Sequence, residues 1–238
     1  MTDIRQILLF MIMVSCWITT KGQCTTLAFQ PGEEIPISYL QAHGDESYFY
    51  SIAIPDTIFR FIQGKSYKSE CTIPRDSLRY IRCLHYDLNG KVRVGEMIAS
   101  KRIANSLVEI FRELFRNRYP IQEMRLIDYW NGDDEASMSD NNSSCFNFRF
   151  ISHTNKVSKH GQGIAVDINP LYNPYYKKLK DGTEVIEPSE GKAYLNRSKD
   201  FPYKITKDDL CYKLFILHGF SWGGDWKSCK DYQHFELP

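Results

Sequence analysis

The sequence predicts an α+β fold, with a small antiparallel sheet flanked by helices and preceded by an N-terminal elaboration. Helix-like and strand-like segments are mixed without the regular alternation that builds parallel α/β sheets. Short alternating strands are concentrated in the second half of the 238 residues. The formal net charge of +1 offers no basic surface, so we expect no nucleic-acid partner.

The first part of the chain has the pattern of a secretory leader. Arg5 precedes an apolar run at 7–17 that is too short to span a bilayer. We therefore predict a signal peptide at 1–23 and an exported protein, either periplasmic or extracellular. Cys16 and Cys24 leave open a lipoprotein with a lipid anchor.

Six cysteines would remain after cleavage, and an even number in an exported chain favours disulfides. They are Cys24, Cys71, Cys83, Cys145, Cys211 and Cys229. Proximity along the chain makes Cys71–Cys83 and Cys211–Cys229 plausible pairs, although sequence alone does not determine connectivity. No pair has the Cys-x-x-Cys spacing of a cysteine zinc site.

The region 24–97 is predicted to be the N-terminal elaboration, packed on a domain at 98–238 that carries the candidate site. Within it, a helix is predicted over 77–88 from three apolar residues on one helical face. These residues are Leu78, Ile81 and Leu84.

The second domain begins with the clearest helix, predicted over 101–118 and ended by Pro120. A polar loop is predicted over 131–144, and a second helix over 208–217 after a Thr206 cap. Strands are predicted from alternation and β-branched or aromatic content. They cover 121–130, 145–151, 163–169 and 232–237.

Asp167 interrupts an apolar run in the segment SKHGQGIAVDINP and needs a partner for its charge. Alternation places it on the strand face opposite Ile164, Val166 and Ile168. His160 precedes it across two glycines that let the chain fold back. A histidine and a carboxylate that converge can share a divalent metal, although a cap or an arginine pair would also satisfy Asp167.

The C-terminal segment offers the remaining parts of such a site. His234 is a candidate third ligand, Asp231 precedes it at the entry to the strand, and Glu236 shares its face. A lone histidine is more often structural than a ligand. We expect this of the four histidines without a ligand-spaced partner, which are His43, His85, His153 and His218.

Two motifs together resemble a known enzyme family. SKHGQGIAVD is similar to the S-x-H-x-x-G-x-A-x-D motif, and DYQHFEL to the acid-x-x-H segment, of zinc D-alanyl-D-alanine carboxypeptidases. L-alanyl-D-glutamate endopeptidases share these motifs, and the Hedgehog domain shares the zinc fold. The resemblance covers about 98–237.

The resemblance implies a role for each matching residue. The zinc ligands would be His160, Asp167 and His234. Asp231 would be the general base, where some relatives have glutamate, and Ser158 would support the ligand loop. Arg149 would bind the substrate carboxylate or the oxyanion, with Arg125 as its competitor. Glu236 would support His234.

The implied activity is a secreted zinc metallopeptidase that hydrolyses peptidoglycan stem peptides or muropeptides. Asp231 would take a proton from zinc-activated water and pass it to the departing amine. The alternative is a non-catalytic zinc-bearing module that binds the cell wall or a protein. The sequence leaves open whether the enzyme is a carboxypeptidase or an endopeptidase, and it gives no oligomeric state.

Overall fold

The structure is a computed structural model that describes residues 29–151 and 154–238. The predicted signal peptide, the two candidate lipid-bearing cysteines and His153 lie outside these ranges, so those predictions stay predictions. No helix within the two ranges has the length and apolar character needed to cross a membrane.

The described part of the chain mixes short helices with short strands. The α-helices are α1 (Ile37–His43), α2 (Asp56–Ile62), α3 (Ala104–Arg116), α4 (Asp134–Ser139) and α5 (Leu210–Leu217). The strands are β1 (Tyr50–Ile52), β2 (Leu78–Tyr86), β3 (Val92–Ser100), β4 (Ala165–Asp167), β5 (Tyr175–Lys178), β6 (Glu184–Glu187), β7 (Ser221–Trp222), β8 (Lys230–Asp231) and β9 (His234–Glu236).

These strands form small antiparallel sheets, which confirms the predicted α+β class. Among the described residues there are three sheets of three strands, in the orders β1-β2-β3, β4-β9-β7 and β6-β5-β8. The second sheet holds the candidate site, and β8 of the third sheet places Asp231 next to it.

The helix predicted over 77–88 is wrong, because this segment forms β2. The strand is buried on both faces from Tyr80 to His85. Because both faces are covered, the apolar–polar alternation of a half-exposed strand is absent, and the spacing of Leu78, Ile81 and Leu84 did not distinguish β2 from a helix. β2 pairs along its whole length with β3.

The helix predicted over 101–118 is confirmed as α3. Its apolar face packs on the first sheet and joins one continuous core. The buried residues of this face are Ala104, Leu107, Ile110, Phe111, Leu114 and Phe115. β3 runs across the boundary predicted between residues 97 and 98. The two regions therefore share a sheet, and the division into two domains stays a prediction.

The strands predicted over 121–130 and 145–151 are wrong. In the first segment, only Ile121 N donates to a strand carbonyl, that of Tyr86 in β2. The next N–H groups go to side chains, since Gln122 N donates to Asn169 Oδ1 and Arg125 N to Asn142 Oδ1. The segment then ends in a 3₁₀ helix at Ile127–Trp130. The second segment is extended, but its backbone bonds go to several separate parts of the chain.

One unpredicted helix and one helix cap also differ from the predictions. The polar loop predicted over 131–144 contains α4, which is capped by Asp133 through a hydrogen bond from Ala136 N. The second predicted helix forms as α5, but its cap is Asp209 rather than Thr206. The Asp209 side chain accepts a hydrogen bond from Cys211 N.

The predicted disulfides are wrong for the five cysteines that the structure describes, since all five are free thiols. Cys83 is fully buried, with its sulfur 3.1 Å from that of Met124. Cys71 lies in a loop and contacts the carbonyl of Ile73. Cys211 is buried at the start of α5, whereas Cys229 is partly exposed. Each thiol is thus packed in its own surroundings.

His85 is a buried histidine of β2, and we predict that it makes stability depend on pH. Burial lowers its pKa to about 4, against partial opposition from the hydrogen bond to the Ile121 carbonyl and the charge of Asp87. The ordinary pKa of histidine is 6.5. Between that pH and pH 4, the unfolded chain therefore binds a proton that the native protein excludes. The free energy of unfolding should fall by about 3 kcal/mol as pH drops from about 7 to 4.

Urea unfolding at several pH values measures this effect. We expect His85→Asn to lose this share of the pH dependence, because the amide can still donate to the carbonyl but does not titrate. The matched control is His43→Asn, which replaces an exposed histidine of α1. Parallel pH profiles for the wild type and His85→Asn would contradict the prediction.

Candidate metal centre

His160 lies in a tight turn that leads into β4. The Ser158 hydroxyl accepts a hydrogen bond from Gly161 N at 2.9 Å, and Gly163 N donates to the His160 carbonyl at 2.9 Å. Gly163 has a positive φ of 67°, and a Cβ there would lie 2.8 Å from Ser100 N. Gly161 and Gly163 therefore let the turn close, and the Ser158 hydroxyl forms a hydrogen bond inside it.

The short sheet places Asp167 and His234 side by side. β4 and β9 are antiparallel, and these two residues are directly opposite each other in the register. Behind them, Phe235 of β9 pairs with Val166 on one side and Trp222 of β7 on the other. Both of these neighbours and Phe235 are buried, so the core holds the two polar side chains in place.

The three candidate ligands converge on one point. His234 Nδ1 lies 3.1 Å from both His160 Nε2 and Asp167 Oδ1, and His160 Nε2 lies 3.2 Å from Asp167 Oδ2. All three side chains are buried, and one ligand atom from each lies within 4.8 Å of the others. This is the only such group of three metal-binding side chains in the part of the chain that the structure describes.

The remaining ring nitrogens are held by other groups. His160 Nδ1 donates to the Cys145 carbonyl at 2.7 Å, which directs Nε2 to the cluster. His234 Nε2 lies 3.0 Å from Glu236 Oε2, which directs Nδ1 to the cluster. Such outer contacts fix the ring orientation and tautomer of metal-binding histidines. Glu236 thus contacts His234 as the sequence predicts.

The charges within the cluster favour an ionised carboxylate. Burial alone would raise the pKa of Asp167, but the charges and hydrogen bonds of His160 and His234 outweigh it and lower the pKa far below its usual range. Burial lowers the pKa of His234, and its hydrogen bonds to Asp167 and Glu236 raise it by more. The site therefore holds the negative carboxylate of Asp167. A metal cation can neutralise this charge in place of a proton on a histidine.

Asp231 stands beside this cluster with one oxygen unused. Its Oδ2 lies 3.9 Å from His234 Nδ1, whereas Oδ1 is buried and has no hydrogen-bond partner. Burial raises the pKa of Asp231, the charge of His234 lowers it, and the negative charges of Asp167 and Glu187 raise it again, leaving it well above the usual range. A carboxyl group in this state can both take and return a proton.

A comparison with protein families matches the segment that carries the candidate site. The family model described as D-alanyl-D-alanine carboxypeptidase matches residues 152–237. This segment is similar to that family. The matched segment is a little over one third of the chain and contains all three candidate ligands and Asp231. No solved structure matched the chain in a separate comparison.

The donor set of the family segment fits zinc. Two imidazole nitrogens and a carboxylate oxygen are typical of catalytic zinc sites, which keep a fourth position for water or substrate. The orphaned Asp231 Oδ1 is the observation that tests this fit, because a buried acceptor without a partner is costly. A water in the fourth position would supply the missing hydrogen bond. The residues present therefore fit the metal.

Asp231 packs closely against the backbone of Gly223, and we predict a loss of activity when this glycine is changed. A Cβ on Gly223 would lie 2.7 Å from both the Cβ and the carbonyl oxygen of Asp231, and 3.3 Å from the Cβ of His234. Gly223→Ala should displace Asp231 and lower activity by about tenfold to a hundredfold, because small displacements of a catalytic group are costly. Kinetics alongside zinc content measures the effect.

A glycine in open space provides the matched control. Gly182 lies in the turn between β5 and β6 and has no neighbour within 4 Å of its ideal Cβ. Its φ of 90° calls for a residue tolerated with positive φ, so Gly182→Asn is the suitable variant. Equal activity of Gly223→Ala and the control would show that the close approach is unimportant.

The Arg149 carbonyl accepts a hydrogen bond from Ser158 N in the His160 turn, whereas among the described residues no contact joins its competitor Arg125 to the cluster. The guanidinium of Arg149 forms an ion pair with Asp134 of α4. The guanidinium of Arg125 lies 3.6 Å from the ring centroid of Tyr129. Of the other described histidines, His85 is buried in β2, His43 stacks on Tyr39 and His218 lies 3.9 Å from Glu109.

Sequence reasoning missed three residues around the site. The charge of Glu187 at the end of β6 acts on Asp231. The Trp226 ring lies 5.2 Å from the His234 ring, between centroids. Asp134 holds Arg149. The tryptophan lies within the quoted C-terminal segment and could have been considered, whereas the two acids carry no local signal because folding alone brings them here.

Proposed function

We propose that the protein is a secreted zinc metallopeptidase that hydrolyses peptidoglycan stem peptides. The observation that carries this proposal is the buried cluster of His160, Asp167 and His234 with the orphaned Asp231 oxygen beside it. The match of this segment to a family of D-alanyl-D-alanine carboxypeptidases supports the substrate class. The apolar leader in the sequence supports export, and Cys16 or Cys24 would carry any lipid anchor.

The chain's own residues account for the proton transfers of hydrolysis. The chemistry that zinc supplies in such a site is polarisation of the scissile carbonyl and of water. Asp231 accepts a proton from the attacking water through its free Oδ1. As the carbon–nitrogen bond breaks and the carbon–oxygen bond is complete, Asp231 returns that proton to the amine. His160 and His234 stay oriented throughout by the Cys145 carbonyl and Glu236.

Metal removal and restoration test the proposal. The protein is stripped with a chelator, and purified muropeptides are incubated with the stripped protein and with protein reloaded with one equivalent of zinc. Mass spectrometry identifies the products and the bond that was cut. We expect cleavage only after reloading, with a zinc content near one per chain.

The same experiment separates the alternative function. A non-catalytic zinc-bearing module would take up zinc and cleave no muropeptide. The buried acid at position 231 argues against that alternative, because a binding module has no need of an unpaired carboxyl oxygen that is costly to bury. Zinc uptake without turnover on every muropeptide tested would contradict the peptidase proposal.

A further inference from the structure

Arg149 is attached to the turn that carries His160. Ser158 N donates to the Arg149 carbonyl at 2.9 Å, and a Cβ on Gly161 would lie 2.8 Å from that carbonyl. Tyr175 of β5 pairs with Glu187 on one side and with Asp231 on the other, so Glu187 lies two strands from Asp231. Burial raises the pKa of Glu187, the positive charge of Arg149 opposes this, and the negative charges of Glu135, Asp134 and Asp167 add to the rise. Arg149 and Glu187 therefore lie at one edge of the metal cluster.

Asp134, which lies outside the matched segment 152–237, forms an ion pair with the side chain of this arginine. The Arg149 Nη1 group donates to Asp134 Oδ2, and Asn147 Nδ2 donates to Asp134 Oδ1 at 2.9 Å. Asn147 and Arg149 belong to the same extended segment whose Cys145 carbonyl orients His160. Both oxygens of Asp134 are thus fixed on the segment that supports the metal cluster.

The surroundings of this ion pair are acidic. Asp134 offsets the charge of Arg149, and Glu187 and Glu135 add two further carboxylates at the same edge. Glu135 is held there by a 2.7 Å hydrogen bond from Ser189 N. Among the described residues, no cation lies within ion-pair distance of the Glu187 carboxylate. A substrate that ends in a free carboxylate would meet like charge at this edge, which disfavours its binding.

We propose that Asp134 is a specificity-determining residue that occupies Arg149 and so prevents it from binding a C-terminal carboxylate. The enzyme then cuts an internal bond of the stem peptide in preference to releasing the terminal residue. This inference rests on the proposed peptidase function and narrows it to an endopeptidase. Removal of a terminal D-alanine would need a free cationic group at the edge that Asp134 now holds.

The test compares terminal and internal cleavage of one substrate. A stem pentapeptide with a free C-terminal D-alanyl-D-alanine is incubated with the zinc-loaded wild type and with Asp134→Asn, and both sets of products are quantified by mass spectrometry. We expect internal products to dominate for the wild type. Asp134→Asn should raise the ratio of terminal to internal kcat/KM by roughly tenfold, because the freed guanidinium can pair with the substrate carboxylate.

Three comparisons separate this effect from a structural one. Asp140→Asn removes a charge from the end of α4 without touching Arg149, and should leave the ratio unchanged. Adding Arg149→Ala to Asp134→Asn should cancel the gain. The same pentapeptide with a C-terminal amide should show no gain, since it lacks the carboxylate.

Each outcome bears on the proposal. Predominant terminal release by the wild type would overturn it even if Asp134→Asn failed to fold. An unchanged ratio in a folded, zinc-loaded Asp134→Asn protein would overturn it as well. Absence of any stem-peptide cleavage by zinc-loaded wild type would contradict the proposed function itself, and the inference would fall with it.

Discussion

Asp167→Asn is expected to abolish stable zinc binding and, with it, activity. Asp167 contacts both histidines, and its charge would stabilise a cation that the three side chains hold. An amide keeps the shape but loses the charge that a hard or borderline cation requires. The loss of zinc affinity should exceed the ten- to hundredfold typical of a residue that only orients a ligand. Zinc content after dialysis, measured by mass spectrometry, checks the expectation.

A second buried aspartate gives the matched control. Asp128 is also buried, but its carboxylate accepts hydrogen bonds from the backbone and hydroxyl of Ser66, away from the cluster. Asp128→Asn should lower stability and leave the zinc content unchanged. Retention of a full equivalent of zinc by Asp167→Asn would show that this residue is not a ligand.

Asp231→Asn is expected to keep zinc and lose activity. Its carboxyl lies beside the ligands without being one of the three that converge, so metal binding should survive. An amide cannot take or return the proton, and losses of about a hundredfold to ten-thousandfold in kcat are typical when a general base is removed. Zinc content and muropeptide kinetics on the same preparation separate binding from turnover.

The control for this variant is an aspartate close by in the sequence. Asp225 forms an exposed ion pair with Lys207 and does not contact the cluster. Asp225→Asn should change kcat little, because exposed pairs contribute little energy. If Asp231→Asn keeps wild-type kcat, the base is another group, and Glu187 would be examined next.

The metal cluster was predictable because each of its two parts has a compact local motif. His160 and Asp167 belong to one turn and strand, and the glycines between them signal the turn. His234 is distant in sequence, but its motif is compact. The structure then shows the reason for the convergence, which is the direct pairing of Asp167 with His234 across two strands.

The acids that surround the cluster were not predictable, because they come from segments with no pattern of their own. Asp134 lies in a stretch that the sequence indicates only as a polar loop, and its contact with Arg149 depends on how α4 docks. The misassigned segments have a related cause. The backbone of 121–130 bonds to the side chains of Asn142 and Asn169, which no local periodicity reveals.

The pairing of β4 with β9 also limits how the chain length can vary. Side chains alternate along a strand, so one residue added between Asp231 and His234 would turn the histidine away from Asp167. The turn between β5 and β6 ends in open space at Gly182 and imposes no such condition. Insertions are therefore tolerable in that hairpin and intolerable before the last strand, where residue count is as much a part of the metal centre as residue identity.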